Sequence, residues 1–213
     1  MTGTAAGRTP AETSGEPRTL RDQQRALTRR RILDAAQLAF TQTGVAAATL
    51  DQIARDAGIS RATLYLHFAN KDAILVDLLA RDLRSVQATF KSLPEAVRSG
   101  PAATREWVRA HADQVRRHRS HLNLFNIATA TDAAAVSLVN AHLVKVAEIV
   151  LGPCGSDIRS SDRALWTRVI LMIARINQVV SGLAISDPEL EPETALDIAA
   201  DEIMAVIGSR WAA

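Results

Sequence analysis

The chain has 213 residues, of which 47% are hydrophobic and only 4% aromatic, so it can bury a sizeable core, and its mainly aliphatic apolar content favours an all-α fold over a β-sandwich or β-barrel. The formal net charge is only +2, which does not by itself indicate a nucleic-acid partner. The single cysteine excludes an internal disulfide and no apolar run approaches the roughly 20 residues of a membrane span, so we expect a cytoplasmic protein with no membrane partner.

The chain should begin with a disordered tail followed by a long helix. Residues 1–18 are rich in Thr, Ala, Gly, Glu and Pro and lack apolar periodicity, which is typical of disorder. The first helix is predicted from about Thr19 to Gln24 at its start to Thr43 at its end. A run of arginines with a single acid, Asp22, comes before and within this helix: Arg18, Arg21, Arg25, Arg29, Arg30 and Arg31. Such a run would attract phosphates without reading the base sequence. The alternative is a solvated helix face, which is the more common role of an arginine run.

Two very short helices joined by a tight turn follow the first helix. Thr49 can cap the first of them, and Gln52 can complete a capping box by bonding the backbone N–H of the cap. Gly58 stands where a helix end favours a left-handed residue. Ser60 is a good cap for the second helix, on which Leu64 should point inward. Many proteins place a helix in the major groove of DNA with a pair of this shape.

The outward side of the second short helix carries polar groups that suit DNA. Arg61 can fork onto guanine or a phosphate, and Thr63 can meet a phosphate or a thymine methyl group. The predicted DNA-binding residues are Thr49, Ser60, Arg61, Ala62, Thr63, Tyr65, His67 and Lys71. Base discrimination should come mostly from Arg61, Ala62 and Thr63. The alternative is an ordinary turn between two helices, and the combination of a glycine turn, two caps and a polar outward face favours DNA binding over it.

The segment from about Thr28 to Leu79 resembles the DNA-binding domain of the TetR family (TetR/AcrR) of transcriptional regulators. The run from Leu64 to Asp72 is its most specific part, and the other matching positions are Ile32, Ala35, Ala36, Phe40, Gly44, Thr49, Ile53, Ala54, Ala57, Gly58, Ser60, Thr63 and Leu75. The resemblance covers about a quarter of the chain. It implies a three-helix head whose recognition helix is Arg61 to His67, on a homodimer. Leu66 departs from the usual family pattern, so the operator sequence cannot be copied from a relative.

The rest of the chain is predicted to be helical. A long helix should run from Asn70 or Lys71 to about Phe90, and later helices should span about 102–119, 120–130, 132–151, 161–186 and 193–211. This makes about nine helices, divided into a helix-turn-helix DNA-binding domain over residues 19–70 and a ligand-binding and dimerisation domain over residues 71–213.

The helix from about Ser161 to Ile185 is apolar on almost every side, so it needs cover on all of them. The last helix adds an apolar stripe suited to a partner: Ala195, Ile198, Ala199, Ile203, Val206 and Ile207. Together the two helices predict half of a four-helix interface in a homodimer. A monomer with a central buried helix is the alternative.

Polar and aromatic residues in the second half could converge on a ligand pocket. The candidates are Trp107, His111, Phe125, Asn126, His142, Trp166, Arg175 and Asn177. Each one alone is more simply a core or surface residue, except Arg175, which interrupts an apolar helix and, if buried, would need an anionic partner from the protein or a ligand. His111, His118 and His121 lack supporting cysteines or carboxylates and lie in a basic run, so we predict no metal and no cofactor.

These patterns predict a ligand-responsive transcriptional regulator, most simply a repressor that a small, largely apolar effector releases from a palindromic operator on double-stranded DNA. A helical enzyme is disfavoured because no acid–base or nucleophile constellation is present. A DNA-binding protein without a small-molecule ligand is the other alternative, and a fully packed second domain would favour it.

Overall fold

The computed structural model describes residues 19–118, 120–187 and 189–211, and every regular element in these ranges is helical. The predicted tail, residues 1–18, lies outside the described residues. The helices are α1 (Leu20–Ala47), α2 (Leu50–Asp56), α3 (Arg61–Tyr65), α4 (Lys71–Phe90), α5 (Leu93–Arg98), α6 (Pro101–Arg117), α7 (Ser120–Thr131), α8 (Ala133–Leu151), α9 (Gly155–Ser161), α10 (Arg163–Ile185) and α11 (Pro192–Ile203). A π-helical turn, Met204–Gly208, and a short final turn, Ser209–Trp211, continue from α11.

Side-chain caps and one glycine determine where α1 begins and ends. Thr19 caps α1 by accepting a hydrogen bond from the backbone N–H of Asp22, as predicted for this end. Gly44 has φ +82° and ψ +155°, so the regular helix is interrupted there, one residue beyond the predicted end at Thr43. Residues 45–48, which follow this interruption, lead the chain to α2.

A first hydrophobic cluster joins the three N-terminal helices to the first part of α4. Ile32, Ile53 and Leu64 are fully buried in it, one each from α1, α2 and α3, and Ile74 of α4 is equally buried. Leu83 of α4 and three residues of α7 and α8 also belong to this cluster: Leu124, Ala128 and Ala135. The first cluster is therefore continuous across the domain boundary that was predicted at residue 70.

A second hydrophobic cluster holds the C-terminal bundle together. Along α4, Leu83 is the last buried member of the first cluster and Phe90 belongs to the second. The largest members of the second cluster come from α6, α8, α10 and α11 and from the segments that follow Phe90 and α11. Helix α10 packs mainly on α6 and α8. Helix α4 contributes to both clusters and connects the head to the bundle along the chain, and α8 also contributes to both, through Ala135 in the first and Val146 in the second.

Helices α8 and α10 are long and apolar enough, by length and composition, to cross a membrane, contrary to the expectation that no run would qualify. The core helix of a soluble protein passes the same test, and both helices pack within the bundle. Helix α10 does have a polar side, because Arg168, Arg175 and Gln178 are exposed along one stripe together with Leu171 and Ile185.

The apolar stripe predicted on the last helix for a partner is mostly buried within the same protomer. Ala195, Ala199, Ile203 and Ile207 are buried against the same protomer, and Val206 also packs on its core. Among the predicted members, only Ile198 is exposed to a large extent. Two short helices, α5 and α9, were not predicted, since both are too brief to show an apolar period.

Candidate nucleic-acid interface and ligand cavity

The first short helix of the head is capped as predicted, but its capping box is not formed. The hydroxyl oxygen of Thr49 accepts a hydrogen bond from the backbone N–H of Gln52 at 3.1 Å. The side chain of Gln52 turns away from the cap, donating to Asp56 at 2.7 Å and accepting from Arg55 at 2.6 Å. A side-chain network along the exposed face of α2 therefore replaces the reciprocal bond.

The turn between α2 and α3 depends on Gly58, whose φ is +65°. Its carbonyl oxygen accepts a hydrogen bond from Arg31 of α1 at 3.3 Å. A Cβ atom at this position would lie only 2.6 Å from the Nη2 atom of Arg31, which that flexible side chain can relieve by moving, so the penalty for a side chain comes from the backbone conformation. Arg31 thus ties the turn to the first helix.

Helix α3 is positioned by a cap at its start and one anchor inside. Ser60 accepts a hydrogen bond from the backbone N–H of Thr63 at 3.0 Å, and the hydroxyl groups of the two residues are 2.8 Å apart. Leu64 is fully buried. Arg61, Ala62 and Tyr65 are exposed, with 45% of Tyr65 accessible, so the helix presents its outward side to solvent.

Arg61 is held in place by two neighbours. Its guanidinium group pairs with Asp51 of α2 at 3.1 Å and donates to the hydroxyl oxygen of Tyr65 at 3.3 Å. The hydrogen bond from Tyr65 and the charge of Asp51 raise the pKa of Arg61 above its ordinary value. The group is preorganised across the face of α3 yet remains largely exposed, so a phosphate or a base edge can replace these partners.

Leu66 is a surface feature that the sequence reasoning noted only as a departure from a family pattern. It follows α3 directly and is 77% exposed, the largest exposed fraction of any large hydrophobic residue among those described. An apolar side chain beside a polar recognition surface can contact the methyl group of thymine. The exposure of Leu66 in the folded head is what indicates a possible base contact, and this exposure cannot be read from the sequence alone.

His67 is half-buried at the end of α3, beside cations of α1. Burial lowers the pKa of its imidazole, and the positive charges of Arg25 and Arg29 lower it further. Its Nδ1 atom has no hydrogen-bond partner in the described part of the chain. A neutral imidazole next to Arg25 is suited to hydrogen bonding rather than to carrying the charge of a phosphate contact.

Lys71 was predicted to bind a DNA phosphate, but its side chain is bonded within the protein. Its ammonium group donates to the carbonyl oxygens of Val45, Ala46 and Ala48 at 2.7, 3.0 and 2.8 Å. These three bonds use every donor of the group and satisfy carbonyls at the end of α1. The structure therefore places Lys71 as a clamp between α1 and α4, and it does not turn towards the outward side of α3.

The predicted arginine run divides into bonded and exposed members. Arg29 donates to Asp77 of α4 at 2.7 Å and lies 4.2 Å from the centre of the Phe68 ring, and Arg31 holds the turn. Arg30 is mostly exposed and has only a distant pairing with Asp34. Arg21 and Arg25 are exposed, and Arg18 lies outside the described residues. Only part of the run is available to phosphates.

The second half contains a partly open cavity of about 630 Å³ between α4, α6, α7, α8 and α10. Four of the eight predicted ligand-binding residues line it: His111, Phe125, His142 and Asn177. Most of the remaining wall is apolar, as in small-molecule sites. Gln37 of α1 also lines the cavity, so the head itself forms part of the wall.

The other four predicted ligand residues lie elsewhere. Trp107 and Trp166 are core residues, and the indole N–H of Trp107 donates to Ser92 at 3.1 Å. Asn126 is exposed on α7. Arg175 is mostly exposed and pairs with Glu202 at 3.2 Å, so it needs no ligand anion. The sequence could not show that Arg175 lies on the polar stripe of α10, because the apolar residues around it form no clear period.

Two buried histidines stand at the wall of the cavity. His111 is fully buried, and burial lowers its pKa to about 4, an effect that the nearby side chain of Asn177 offsets only in part. Burial also lowers the pKa of His142 to about 4, and the proximity of His111 adds to this. Both imidazoles are therefore neutral at pH 7. Within the described residues, no cluster of three His, Cys, Asp or Glu could hold a metal ion, and the side chain of His121 lies outside them.

Comparison with known proteins agrees with this geometry. Residues 32–78 match the family described as bacterial regulatory proteins, tetR family. The chain is 46% identical over 63 residues to the HTH-type transcriptional regulator SrpR of Pseudomonas putida, a match that covers 30% of each protein. The similar stretch thus spans less than a third of that relative's length and is confined to one domain.

Solved structures resemble the chain over most of its length. A tetR-family transcriptional regulator from Streptomyces coelicolor superposes with a TM-score of 0.62 at 16% identity, covering 85% of this chain and 81% of that one. The complex of SmeT with triclosan superposes with a TM-score of 0.56 at 23% identity, covering 84% and 90%. These neighbours show the fold, and the relatives are named as regulators rather than enzymes. The N-terminal segment is similar to the DNA-binding domains of the TetR family, and the chain has the fold of the TetR-family transcriptional regulators.

Proposed function

We propose that this protein is a homodimeric repressor that binds a palindromic operator through α3 and leaves it when a small molecule fills the cavity in its second half. The observation that carries the proposal is the junction of the two sites at α4. One end of this helix is bonded to the DNA-binding head, and its middle lines the cavity.

The DNA contacts in this proposal follow from exposure and charge. Arg61, Ala62 and Leu66 face outward on or just after α3 and would read base edges in the major groove. Tyr65, Thr49 and Ser60 would contact phosphates near the two helix starts. Thr63 is half-buried with its hydroxyl beside that of Ser60, which leaves its methyl group for a base contact. Arg21, Arg25 and Arg30 supply exposed positive charge.

The coupling in this proposal runs through contacts that cavity and head share. Arg81 of α4 lines the cavity and pairs with Asp34 of α1 at 2.6 Å, and it also bonds Gln37, another lining residue. A ligand that moved this part of α4 would therefore move α1 as well. Allosteric coupling between two sites typically amounts to about 1–3 kcal/mol, which a change in these few bonds can supply.

A second copy of the chain would complete the molecule along α10 and α11. Leu171 and Ile185 of α10 and Ile198 of α11 are exposed apolar residues next to the Arg175–Glu202 ion pair. An isologous interface on these faces would form a four-helix arrangement with twofold symmetry. It would present two recognition helices to half-sites about 34–36 Å, or one DNA turn, apart. We place this regulator in the cytoplasm, as is typical of the family.

The test selects DNA fragments bound by the purified protein from a random library and then compares variants on the selected site. Arg61→Ala should weaken binding and relax base preference at one position of each half-site, by about 1–3 kcal/mol. Arg98→Ala, an exposed arginine outside the head, is the matched control and should bind like the original protein. A failure to select any common sequence, or equal effects of the two variants, would contradict the proposal.

A further inference from the structure

We infer that the cavity takes an uncharged ligand with an apolar body and a hydroxyl or similar neutral hydrogen-bonding group, which binds at His111 and His142. This inference rests on the proposed effector role of the cavity and specifies its ligand. It is carried by polar atoms at the cavity wall that have no partner in the described protein.

His111 supplies the main argument. It is fully buried and lines the cavity, yet neither of its ring nitrogens has a hydrogen-bond partner in the described residues. The rings of Phe90 and Trp107 pack against the imidazole at 5.3 Å between centres and offer it no acceptor. Asn177 approaches the ring without the geometry of a normal hydrogen bond. Buried polar atoms of this kind are normally paired, so their partner should occupy the cavity.

Two polar groups near the imidazole already have partners of their own. The Nε1–H group of Trp107 donates to Ser92, and the amide of Gln114 bonds Thr89 and Ser85. His142 is 4% exposed and lines the same wall, and its Nδ1 atom is unpaired as well. Two imidazoles thus present unpaired atoms to one largely apolar space.

The neutral state of the two imidazoles disfavours an ionic ligand. With pKa values of about 4, both imidazoles are neutral at pH 7, so a carboxylate ligand would have to be bound together with a proton that the site holds weakly. Arg81 lines the cavity, but Asp34 and Gln37 already bond its guanidinium group. Asp82, the one carboxylate in the described wall, also has a partner, so a cationic ligand would lose water without gaining a counterion.

A hydrocarbon without a polar group also fits poorly. It would leave the buried nitrogens of both imidazoles without a partner, which costs the desolvation of each group. A hydroxyl can donate to one imidazole nitrogen and accept from an imidazole N–H, and it needs no change of protonation. The cavity of about 630 Å³ is large enough for a ligand of two rings.

The test is calorimetric titration of the full chain, without DNA, at pH 7 with two matched probe sets. One set is phenylphenol, biphenylcarboxylate and biphenylmethylammonium, and the other is naphthol, naphthoate and naphthylmethylammonium. In at least one set the hydroxyl compound should bind about tenfold or more tightly than its acid and its amine. Binding of no probe, or equal binding of acid or amine, would overturn the inference.

Variants locate the site. His111→Phe keeps the aromatic packing and should weaken binding of the hydroxyl probe about tenfold, and His142→Phe should weaken it as well. Trp107→Phe is the matched control, since it changes the same aromatic cluster without lining the cavity, and it should bind like the original protein. Undiminished binding by both histidine variants would overturn the inference.

If the histidine variants do not fold, nitrogen-15 NMR of the original protein tests the same binding site. The ring nitrogens of His111 should shift when phenylphenol or naphthol saturates the protein, and unchanged shifts would overturn the inference. Because none of these measurements involves DNA, they are independent of the proposed operator binding. Selective hydroxyl binding with no effect on a DNA complex would support the ligand class and contradict the effector role.

Discussion

Single cations of the head show that charge in a sequence does not say where the charge is used. Lys71, Arg29 and Arg31 all lie in segments that suggested phosphate contacts, and each is bonded to the protein itself. Arg25 differs because it is exposed and lies near His67 at the end of the recognition helix. The residues that hold the head together and those proposed to contact DNA are thus separable by mutation.

Lys71→Met should separate the two roles. It removes three hydrogen bonds at the end of α1 and should lower the free energy of unfolding by about 1–3 kcal/mol, measured in urea. The slope of log affinity against log salt for DNA binding should not change. Arg25→Met should instead reduce that slope by about one unit and leave stability unaffected. A reduced salt slope for Lys71→Met would show that Lys71 is a phosphate ligand after all.

At the level of the helices, local chemistry predicted much of the fold. The caps at Thr49 and Ser60 and the turn at Gly58 depend on residues a few positions apart, and all three are formed. The cavity could be predicted only in part, since its wall combines five helices whose packing no local pattern determines. His111 and His142 could be predicted because they are polar residues among apolar ones. Gln37 and Arg81 were not predicted to line the cavity, because Gln37 lies on the first helix of the head and Arg81 on the helix that connects the head to the bundle.

The histidines of α6 and α8 should make stability depend on pH. Their folded pKa of about 4 lies below the ordinary value of 6.5, so between these values the unfolded chain binds protons that the folded chain does not. Stability should therefore be highest above pH 6.5 and fall towards pH 4, by about 3 kcal/mol for each histidine. Arg81, Asp82 and His118 line the same cavity and remain unchanged in the comparison below.

Urea unfolding at several pH values measures this dependence. The difference in stability between the original protein and His142→Phe isolates the contribution of one histidine from that of the carboxylates, which titrate in both proteins. As the pH falls through 6, the original protein should therefore lose stability relative to His142→Phe, by up to about 3 kcal/mol. A constant difference from pH 7 to pH 4 would contradict a neutral, buried His142.

The whole molecule has a head and a bundle that α4 connects along the chain, and the proposed dimer depends on faces that one protomer leaves open. Most of the apolar residues of α10 and α11 are used inside the protomer, contrary to the expectation of an all-round apolar helix. What remains for a partner is a narrower stripe around Leu171, Ile185 and Ile198. Such a stripe is sensitive to a single charge at its centre.

Leu171→Asp should therefore convert the proposed dimer into a monomer. Leu171 is 63% exposed, so the substitution should not unfold the protomer. Leu38→Asp on α1, at 55% exposure, is the matched control and should remain dimeric. Sedimentation velocity measures both. A monomeric original protein, or a Leu171→Asp variant that sediments as a dimer, would contradict the proposed interface.

The most direct test of the account is a footprint of the purified protein on the DNA that flanks its own coding region, at low ionic strength. The account predicts protection of a palindrome, with Arg61→Ala losing protection at both half-sites together. Absence of any protected sequence there, or protection that Arg61→Ala leaves intact, would contradict the claim that α3 of a symmetric pair reads the operator.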